Sequence, residues 1–145
     1  MILISHRGNI SGKFPSWENE PTYIDLAISK GYHVEVDLWI KDSFPYLGHD
    51  EPMYGIVKSW LIERKELLWV HCKNKEAIDF CIENDLHFFW HNTDDYTITS
   101  KGYVWAYPDK DPTHNCIAVL PERCNTNVSN FSGICSDHIE TYKNS

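Results

Sequence analysis

The chain has 145 residues, of which 42% are apolar, and its formal net charge is −8 at pH 7. These values predict one globular domain over residues 1–145 with a substantial core, and they exclude a disordered chain. They also argue against a nucleic-acid-binding protein, because phosphate backbones require clustered Lys and Arg and the chain has no basic block.

The first predicted element is a short buried strand over residues 1–6, followed by Arg7. Its apolar run covers about four residues, whereas a signal peptide needs ~7–15. No stretch approaches the ~20 apolar residues of a membrane span. The five cysteines are odd in number and form no C-x-x-C pair. We therefore expect a cytoplasmic protein with reduced thiols and no membrane span.

The strongest predicted strand covers residues 33–39, after a helix over residues 21–30 that is bounded by a proline and a glycine. Side chains alternate across a strand, so Glu35 and Asp37 share one face and the aliphatic residues share the other. Two carboxylates on one face offer the oxygen ligands that Mg²⁺ and Ca²⁺ prefer. Such a strand suits a barrel whose outer helices cover the aliphatic face while the acids point into the mouth.

Three basic side chains complete a candidate site in the first fifty residues. His6 and Arg7 follow the first strand, at the end where α/β folds place their sites. The planar guanidinium of Arg7 matches the geometry of phosphate oxygens. His49 follows a turn at residues 42–45 and lies next to Asp50. Each histidine alone is more often structural, but together they can act on opposite sides of one phosphodiester, as base and acid.

Strands and helices are predicted to alternate up to about residue 90, which implies a parallel sheet, and strands with short links follow. The later predicted segments are helices over residues 55–64 and 75–83 and strands over residues 67–72, 86–90, 96–99, 103–107, 116–120 and 133–135. His91 with Asp94 and Asp95 follows one of these strands and is interpreted as a polar loop in preference to a metal site.

Several motifs occur in a characteristic order: His6-Arg7-Gly8, Glu18-Asn19, Gly31, Glu35-Val36-Asp37, Asp42-Ser43-Phe44-Pro45 and His49-Asp50. In this order they resemble the glycerophosphodiester phosphodiesterase family, within the superfamily of phosphatidylinositol-phospholipase-C-like phosphodiesterases. The resemblance is specific over residues 1–50, moderate to residue 92 and faint afterwards, where residues 133–137 resemble the Thr-Asp motif after the family's last strand.

The resemblance implies an α/β fold, a (β/α)8 barrel of the TIM type with its site at the carboxyl ends of the strands. In this chain we expect a reduced TIM-type barrel, with strand–helix repeats in the first half and short strand links in the second. A TIM-type barrel usually needs at least ~200 residues, so some helices must be missing. The later strands would then lack covering helices, and we expect a partner subunit to cover them in a homodimer.

The resemblance also implies roles for the site residues. His6 and His49 would form the acid/base pair, with Arg7 on the phosphate. Glu35 and Asp37 would bind a divalent cation, Mg²⁺, Ca²⁺ or Mn²⁺. Glu18 would be a further metal ligand or would support one.

One position departs from the family pattern. A third metal carboxylate is usual on the next strand, in a Glu-x-Lys pattern, where this chain has His71-Cys72-Lys73. Lys73 matches the pattern and is expected to assist on the phosphate, and by alternation His71 points to the same face. Imidazole suits transition metals, Zn²⁺ included, better than Ca²⁺. His71 therefore predicts a changed metal, a weak site on the two acids, or a loss of catalysis.

The sequence thus predicts a metal-dependent phosphodiester hydrolase for a small glycerol- or sugar-phosphate diester. One histidine would deprotonate a neighbouring substrate hydroxyl, which attacks phosphorus, and the other would protonate the leaving alcohol. The family precedent implies a cyclic phosphate intermediate that water later opens. Trp105 lies near a strand end and either stacks on a sugar ring of the substrate or packs in the core. The competing interpretation is a sugar-phosphate-binding module that has lost activity.

Overall fold

Parallel strands form the centre of the protein in a computed structural model that describes residues 1–143. In chain order the described elements are β1 (Ile2–His6), α1 (Pro21–Ser29), β2 (His33–Lys41), β3 (Phe44–Leu47), β4 (Tyr54–Gly55), α2 (Lys58–Arg64), β5 (Leu68–Cys72), α3 (Lys75–Glu83), β6 (Phe88–Phe89), β7 (Tyr96–Ile98), β8 (Val104–Ala106), β9 (Cys116–Val119) and β10 (Gly133–Ser136). Two 3₁₀ turns follow β9 and β10, at Pro121–Arg123 and Ile139–Tyr142.

The parallel strands lie in the order β6-β5-β2-β1-β10-β9-β8. Antiparallel partners extend this sheet, because β3 pairs with the second half of β2, β4 pairs with β3, and β7 pairs with β8. The sheet curls until Phe89 of β6 meets Trp105 of β8, with ring centroids 4.7 Å apart. The result is a curled half-barrel, and the carboxyl ends of its parallel strands share one edge.

The predicted TIM-type barrel is wrong. Within residues 1–143 the protein has ten strands but only the three helices α1, α2 and α3, and all three precede β6. Even in the first half the strand–helix repeat is interrupted by the hairpin of β3 and β4. In a (β/α)8 barrel a helix follows each strand, whereas the described connections after β6 contain only loops and short 3₁₀ turns. The chain therefore forms a sheet-rich half-barrel.

The convex face of the first half carries the main hydrophobic core. Val34, Val36 and Leu38 of β2 are fully buried there, on the face opposite Glu35 and Asp37. The helices contribute Ile24, Ala27, Leu61, Ala77 and Cys81 to the same core. The period-two pattern of β2 thus separates core from candidate site, as the sequence predicts.

The convex face of the second half is covered without a helix. Phe131 and Val128, in the segment between β9 and β10, pack on Ala106, Cys116 and Ala118. This loop therefore buries part of the surface for which we expected a partner subunit, and the homodimer stays a prediction. None of the helices within the described residues has the length and hydrophobicity that a bilayer crossing demands.

Gly133 allows the close approach of β10 to both of its neighbours. A Cβ at this position would lie 2.7 Å from Cδ1 of Ile117 and 2.8 Å from the backbone oxygen of Ile2. Because the sheet hydrogen bonds hold these strands in place, we expect Gly133→Ala to lower the free energy of unfolding by about 1–3 kcal/mol. Urea denaturation measures this change.

Gly55 offers a matched control for that substitution. It lies exposed on β4, where an added Cβ would make only ordinary contact with the ring of Tyr46 at 3.4 Å. Gly55→Ala should leave the urea midpoint within experimental error, and equal midpoints for both variants would contradict the packing argument.

Candidate active site

Polar side chains gather at the carboxyl edge of the parallel strands, around a cavity of about 660 Å³. The sequence-predicted site residues that line it are His6, Arg7, Glu35, His49, His71, Lys73 and Trp105. Asp37 and Glu18 lie behind this wall, in contact with Arg7. The sheet therefore brings together residues that are far apart in the sequence, because neighbouring parallel strands end at the same edge.

Asp137 orients His6 at this edge. The Nδ1 atom of His6 lies 2.7 Å from Oδ1 of Asp137, which follows β10, and Asn9 donates a second hydrogen bond to the same oxygen. Burial alone would raise the pKa of Asp137, but the hydrogen bonds from His6 and Asn9 outweigh it and hold the pKa below its ordinary value. An ionised carboxylate only accepts, so Nδ1 of His6 carries the proton and Nε2 is free in the neutral ring.

Arg7 joins three groups of the site. Its Nη1 donates to Glu18 at 3.2 Å, its Nε lies 3.1 Å from Oδ2 of Asp37, and its Nη2 lies 2.8 Å from Nδ1 of His49. Burial lowers the pKa of Arg7, but Asp37, Glu35 and Glu18 raise it by more. A guanidinium has five N–H donors, so two remain for another acceptor after these three contacts.

His49 differs from His6 in which ring nitrogen carries the proton. Nη2 of Arg7 lies 2.8 Å from Nδ1 of His49 and 3.4 Å from its Nε2. Because Arg7 only donates, the nearer Nδ1 is the acceptor of their hydrogen bond. The proton of the neutral imidazole is then on Nε2, which lies 3.6 Å from Asp50. The side chain is 41% exposed and lines the cavity. The site thus presents one imidazole with a free Nε2 and one with an Nε2–H.

Glu35, Asp37 and His71 form a compact group of potential metal ligands. One atom from each lies within 4.8 Å of the others. Nδ1 of His71 is 3.1 Å from Oδ1 of Asp37 and 3.8 Å from Oε2 of Glu35, because β2 and β5 pair Asp37 directly with His71. Within the described structure, Oε1 of Glu35 and Oδ1 of Asp37 are buried without a hydrogen-bond partner. Two carboxylates and one imidazole with unused lone pairs fit a divalent cation.

The two carboxylates have opposite electrostatic environments. Burial and the neighbouring Asp37 charge raise the pKa of Glu35 well above its ordinary value. Burial also acts to raise the pKa of Asp37, but His49 and His71, when their Nδ1 atoms carry a proton, and the charge of Arg7 hold it well below the ordinary range. Positive charge is therefore still needed beside Glu35, and either a proton or a cation can supply it.

Asn19 and Glu18 hold this charged network in place. The Asn19 amide donates to Oδ2 of Asp37 and accepts from the Asp37 backbone N–H, both at 2.9 Å. Glu18 accepts from Arg7 with one oxygen and from Asn9 with the other, at 2.8 Å. Glu18 thus supports Arg7 and lies outside the three-residue ligand group, and its predicted role as a metal ligand stays untested.

The far wall of the cavity is aromatic. Trp105 is only 2% exposed and packs against Phe89 and Trp69, so it forms part of the floor. Its predicted stacking on a sugar stays a prediction. His91 stacks on Tyr107 with centroids 3.7 Å apart, and its Nε2 bonds to the Asp94 backbone oxygen at 2.5 Å. The loop after β6 is therefore held by its own contacts, as expected for a polar loop.

Asn9 supports the site in a way that the sequence did not indicate, and Tyr107 lines the cavity. Asn9 bridges Glu18 and Asp137 with one amide group, although it lies in a loop without periodicity. Asp137 was indicated only by the faint resemblance of its segment to the Thr-Asp motif. The roles of Asn9 and Asp137 depend on the order of the strands, which no local sequence pattern encodes.

Comparisons with known proteins identify no relative. No family model matches the chain, and neither a curated protein nor a solved structure shows significant similarity to it. The function is therefore inferred from the geometry and chemistry of the site.

Proposed function

We propose that this protein is a divalent-metal-dependent phosphodiesterase that cleaves a small glycerol- or sugar-phosphate diester, the activity that the motif resemblance implies. The observation that carries the proposal is the complementary pair of histidines beside a buried carboxylate group. Asp137 leaves Nε2 of His6 free to accept a proton, whereas Nε2 of His49 carries a proton that the ring can donate once Nδ1 is protonated as well.

Glu35, Asp37 and His71 would hold the cation, which when bound supplies positive charge for the phosphoryl oxygens. Arg7 has two N–H donors that its protein partners do not use, and it lines the cavity. Lys73 follows β5 and lines the same cavity, and its charge opposes part of the rise in the pKa of Glu35 that burial causes. These two side chains would therefore bind and orient the phosphate.

The histidines would transfer the protons of the reaction. His6 would take the proton of a neighbouring substrate hydroxyl, whose oxygen attacks phosphorus. His49 would act as the acid once its Nδ1 has exchanged Arg7 for a proton, because a neutral imidazole is too weak an acid. Its Nε2 proton would then pass to the leaving alcohol as the P–O bond breaks, which yields a cyclic phosphate, a free alcohol and a neutral His49. Water would open the cyclic phosphate with the two histidines in reversed roles.

A hydrolysis assay with and without a chelator tests the proposal. The full chain is incubated with bis-p-nitrophenyl phosphate and with a panel of glycerol- and sugar-phosphate diesters. We expect turnover of at least one diester that falls to background after chelation and returns when a divalent metal is added.

The second candidate is a sugar-phosphate-binding module, which is favoured by His71 at the place of the expected carboxylate. Calorimetry distinguishes the two functions. Binding of a sugar phosphate without metal-dependent cleavage of any diester in the panel would support the module and contradict the phosphodiesterase.

A further inference from the structure

The imidazole of His71 is held in one tautomer. Its Nε2 atom lies 3.2 Å from the backbone oxygen of His91, in the loop after β6. A carbonyl oxygen can only accept a hydrogen bond, so Nε2 donates and Nδ1 has no proton in the neutral ring. The backbone of this loop thus selects which nitrogen faces the carboxylates.

The plane of the ring is also fixed. His71 stacks on Phe89 with centroids 4.9 Å apart and an interplanar angle of 13°. The side chain is 13% exposed, so solvent reaches little of it. Stacking on one face and the hydrogen bond at Nε2 together hold Nδ1 opposite Asp37 and Glu35. Such preorganisation by supporting groups is typical of metal-binding histidines.

Three lone-pair atoms therefore converge. Nδ1 of His71 faces Oδ1 of Asp37 at 3.1 Å and Oε2 of Glu35 at 3.8 Å. Lone pairs at these distances repel one another unless positive charge lies between them. A metal ion is one source of that charge, and a second proton on His71 is the other.

The charge of this ligand group is low for a hard cation. Arg7 offsets part of the negative charge of Asp37, because its Nε lies 3.1 Å from Oδ2. The positive charge of Lys73 likewise offsets part of the charge of Glu35. Ca²⁺ affinity depends on the number of charged oxygen ligands, and Mg²⁺ demands an octahedral oxygen shell. A neutral nitrogen donor instead favours ions such as Zn²⁺, Fe²⁺ and Ni²⁺.

From these observations we infer that the centre is selective for a transition-metal ion of the Zn²⁺ type over Mg²⁺ and Ca²⁺, through Nδ1 of His71 in the tautomer that the His91 carbonyl selects. The inference rests on the proposed function only for the use of the site, since metal binding is measured without substrate. It makes the residue at position 71 the determinant of metal choice.

Metal titration of the chelator-treated full chain tests the inference. Calorimetry with ZnCl₂, MgCl₂ and CaCl₂ should give a Kd for Zn²⁺ at least roughly 100-fold lower than for either of the other ions. His71→Glu should reverse this preference, weakening Zn²⁺ and strengthening Mg²⁺ or Ca²⁺ by roughly 10-fold or more. His114→Glu adds the same carboxylate at an exposed position outside the cavity and should leave the order unchanged.

Nitrogen-15 NMR of the histidine side chains gives a second readout on the unaltered chain. Addition of Zn²⁺ should shift the Nδ1 resonance of one histidine into the metal-bound range while its Nε2 stays protonated, and His71→Gln should abolish that signal. This measurement decides the question even if His71→Glu does not fold.

Several results would overturn the inference. They are equal affinity for Zn²⁺ and Mg²⁺ in the unaltered chain, an unchanged order in folded His71→Glu, or a His71 ring that carries two protons in the presence of Zn²⁺. The hydrolysis assay is independent of these results. Tight Zn²⁺ binding without turnover would support the metal centre and contradict the phosphodiesterase.

Discussion

His6→Ala is expected to lower kcat for the best diester substrate by roughly 10²–10⁴-fold, the usual contribution of a general acid–base group. His6 contributes the free Nε2 of the site, which Asp137 directs toward the cavity from the opposite side of the ring. Alanine leaves no group there to accept the proton of the attacking hydroxyl. His49→Ala should cause a loss of similar size, because its Nε2–H is the proposed proton donor.

The fold should tolerate both substitutions. After His6→Ala, Asp137 still accepts a hydrogen bond from Asn9 at 2.9 Å, so its carboxylate keeps a partner. The side chain of His49 is 41% exposed and lines the cavity. Circular dichroism and thermal melting check the fold, and His114→Ala serves as the control for loss of an exposed histidine. Full activity in either folded variant would refute the acid/base assignment.

Acidification from pH 7 to pH 4 should lower the free energy of unfolding by roughly 2–3 kcal/mol through His87 alone. His87 is 5% exposed at the amino ends of the strands, where its Nε2 lies 2.7 Å from Oγ1 of Thr99. Its ring packs against Trp69 at 4.2 Å. Burial, together with the charge of Lys101 and the neighbouring His33, lowers the pKa of His87 from 6.5 to about 4.

The sign of the effect follows from these two values. As pH falls below 6.5, the unfolded chain takes up a proton at His87 while the folded protein does not until about pH 4. Stability is therefore complete above pH 6.5 and is lost progressively between pH 6.5 and 4. Burial and Lys101 also lower the pKa of His33, so it acts in the same direction. Glu35 has a raised pKa and acts in the opposite direction.

Comparison with His87→Gln isolates the contribution of His87. The amide can still bond to Thr99 but does not titrate, whereas His33 and Glu35 titrate in both proteins. Urea unfolding at pH 7, 6, 5 and 4 should show a smaller loss of stability in the variant, by about the 2–3 kcal/mol assigned to His87. Parallel pH profiles for the two proteins would contradict the assignment.

Local pattern predicted much of the secondary structure and one side of the site. The alternation of Val34, Glu35, Val36 and Asp37 identified the core face and the acidic face of β2, because side-chain direction in a strand depends only on neighbouring residues. The helix Pro21–Ser29 could be predicted for the same reason, since a proline and a glycine bound it. These are properties of short segments, and tertiary contacts did not alter them.

Local pattern could not predict that the sheet forms a half-barrel and not a closed TIM-type barrel. The resemblance of residues 1–50 implied a TIM-type barrel, but the number of helices that cover the sheet depends on the whole chain. Here Phe131 and Val128 cover the second half, and hairpins extend the sheet at β3 and β7. A loop that buries an apolar face carries no periodicity, so the sequence contains no local sign of it.

The sequence by itself determined which residue types are present for the chemistry: His6, Arg7, Glu35, Asp37 and His49. Only the tertiary structure decided which nitrogen of each histidine faces the cavity. Asp137 selects the tautomer of His6 across 131 positions of sequence, and the His91 carbonyl selects that of His71. The physical reason is that a tautomer depends on the hydrogen-bond partner of the opposite nitrogen, and strand order determines that partner.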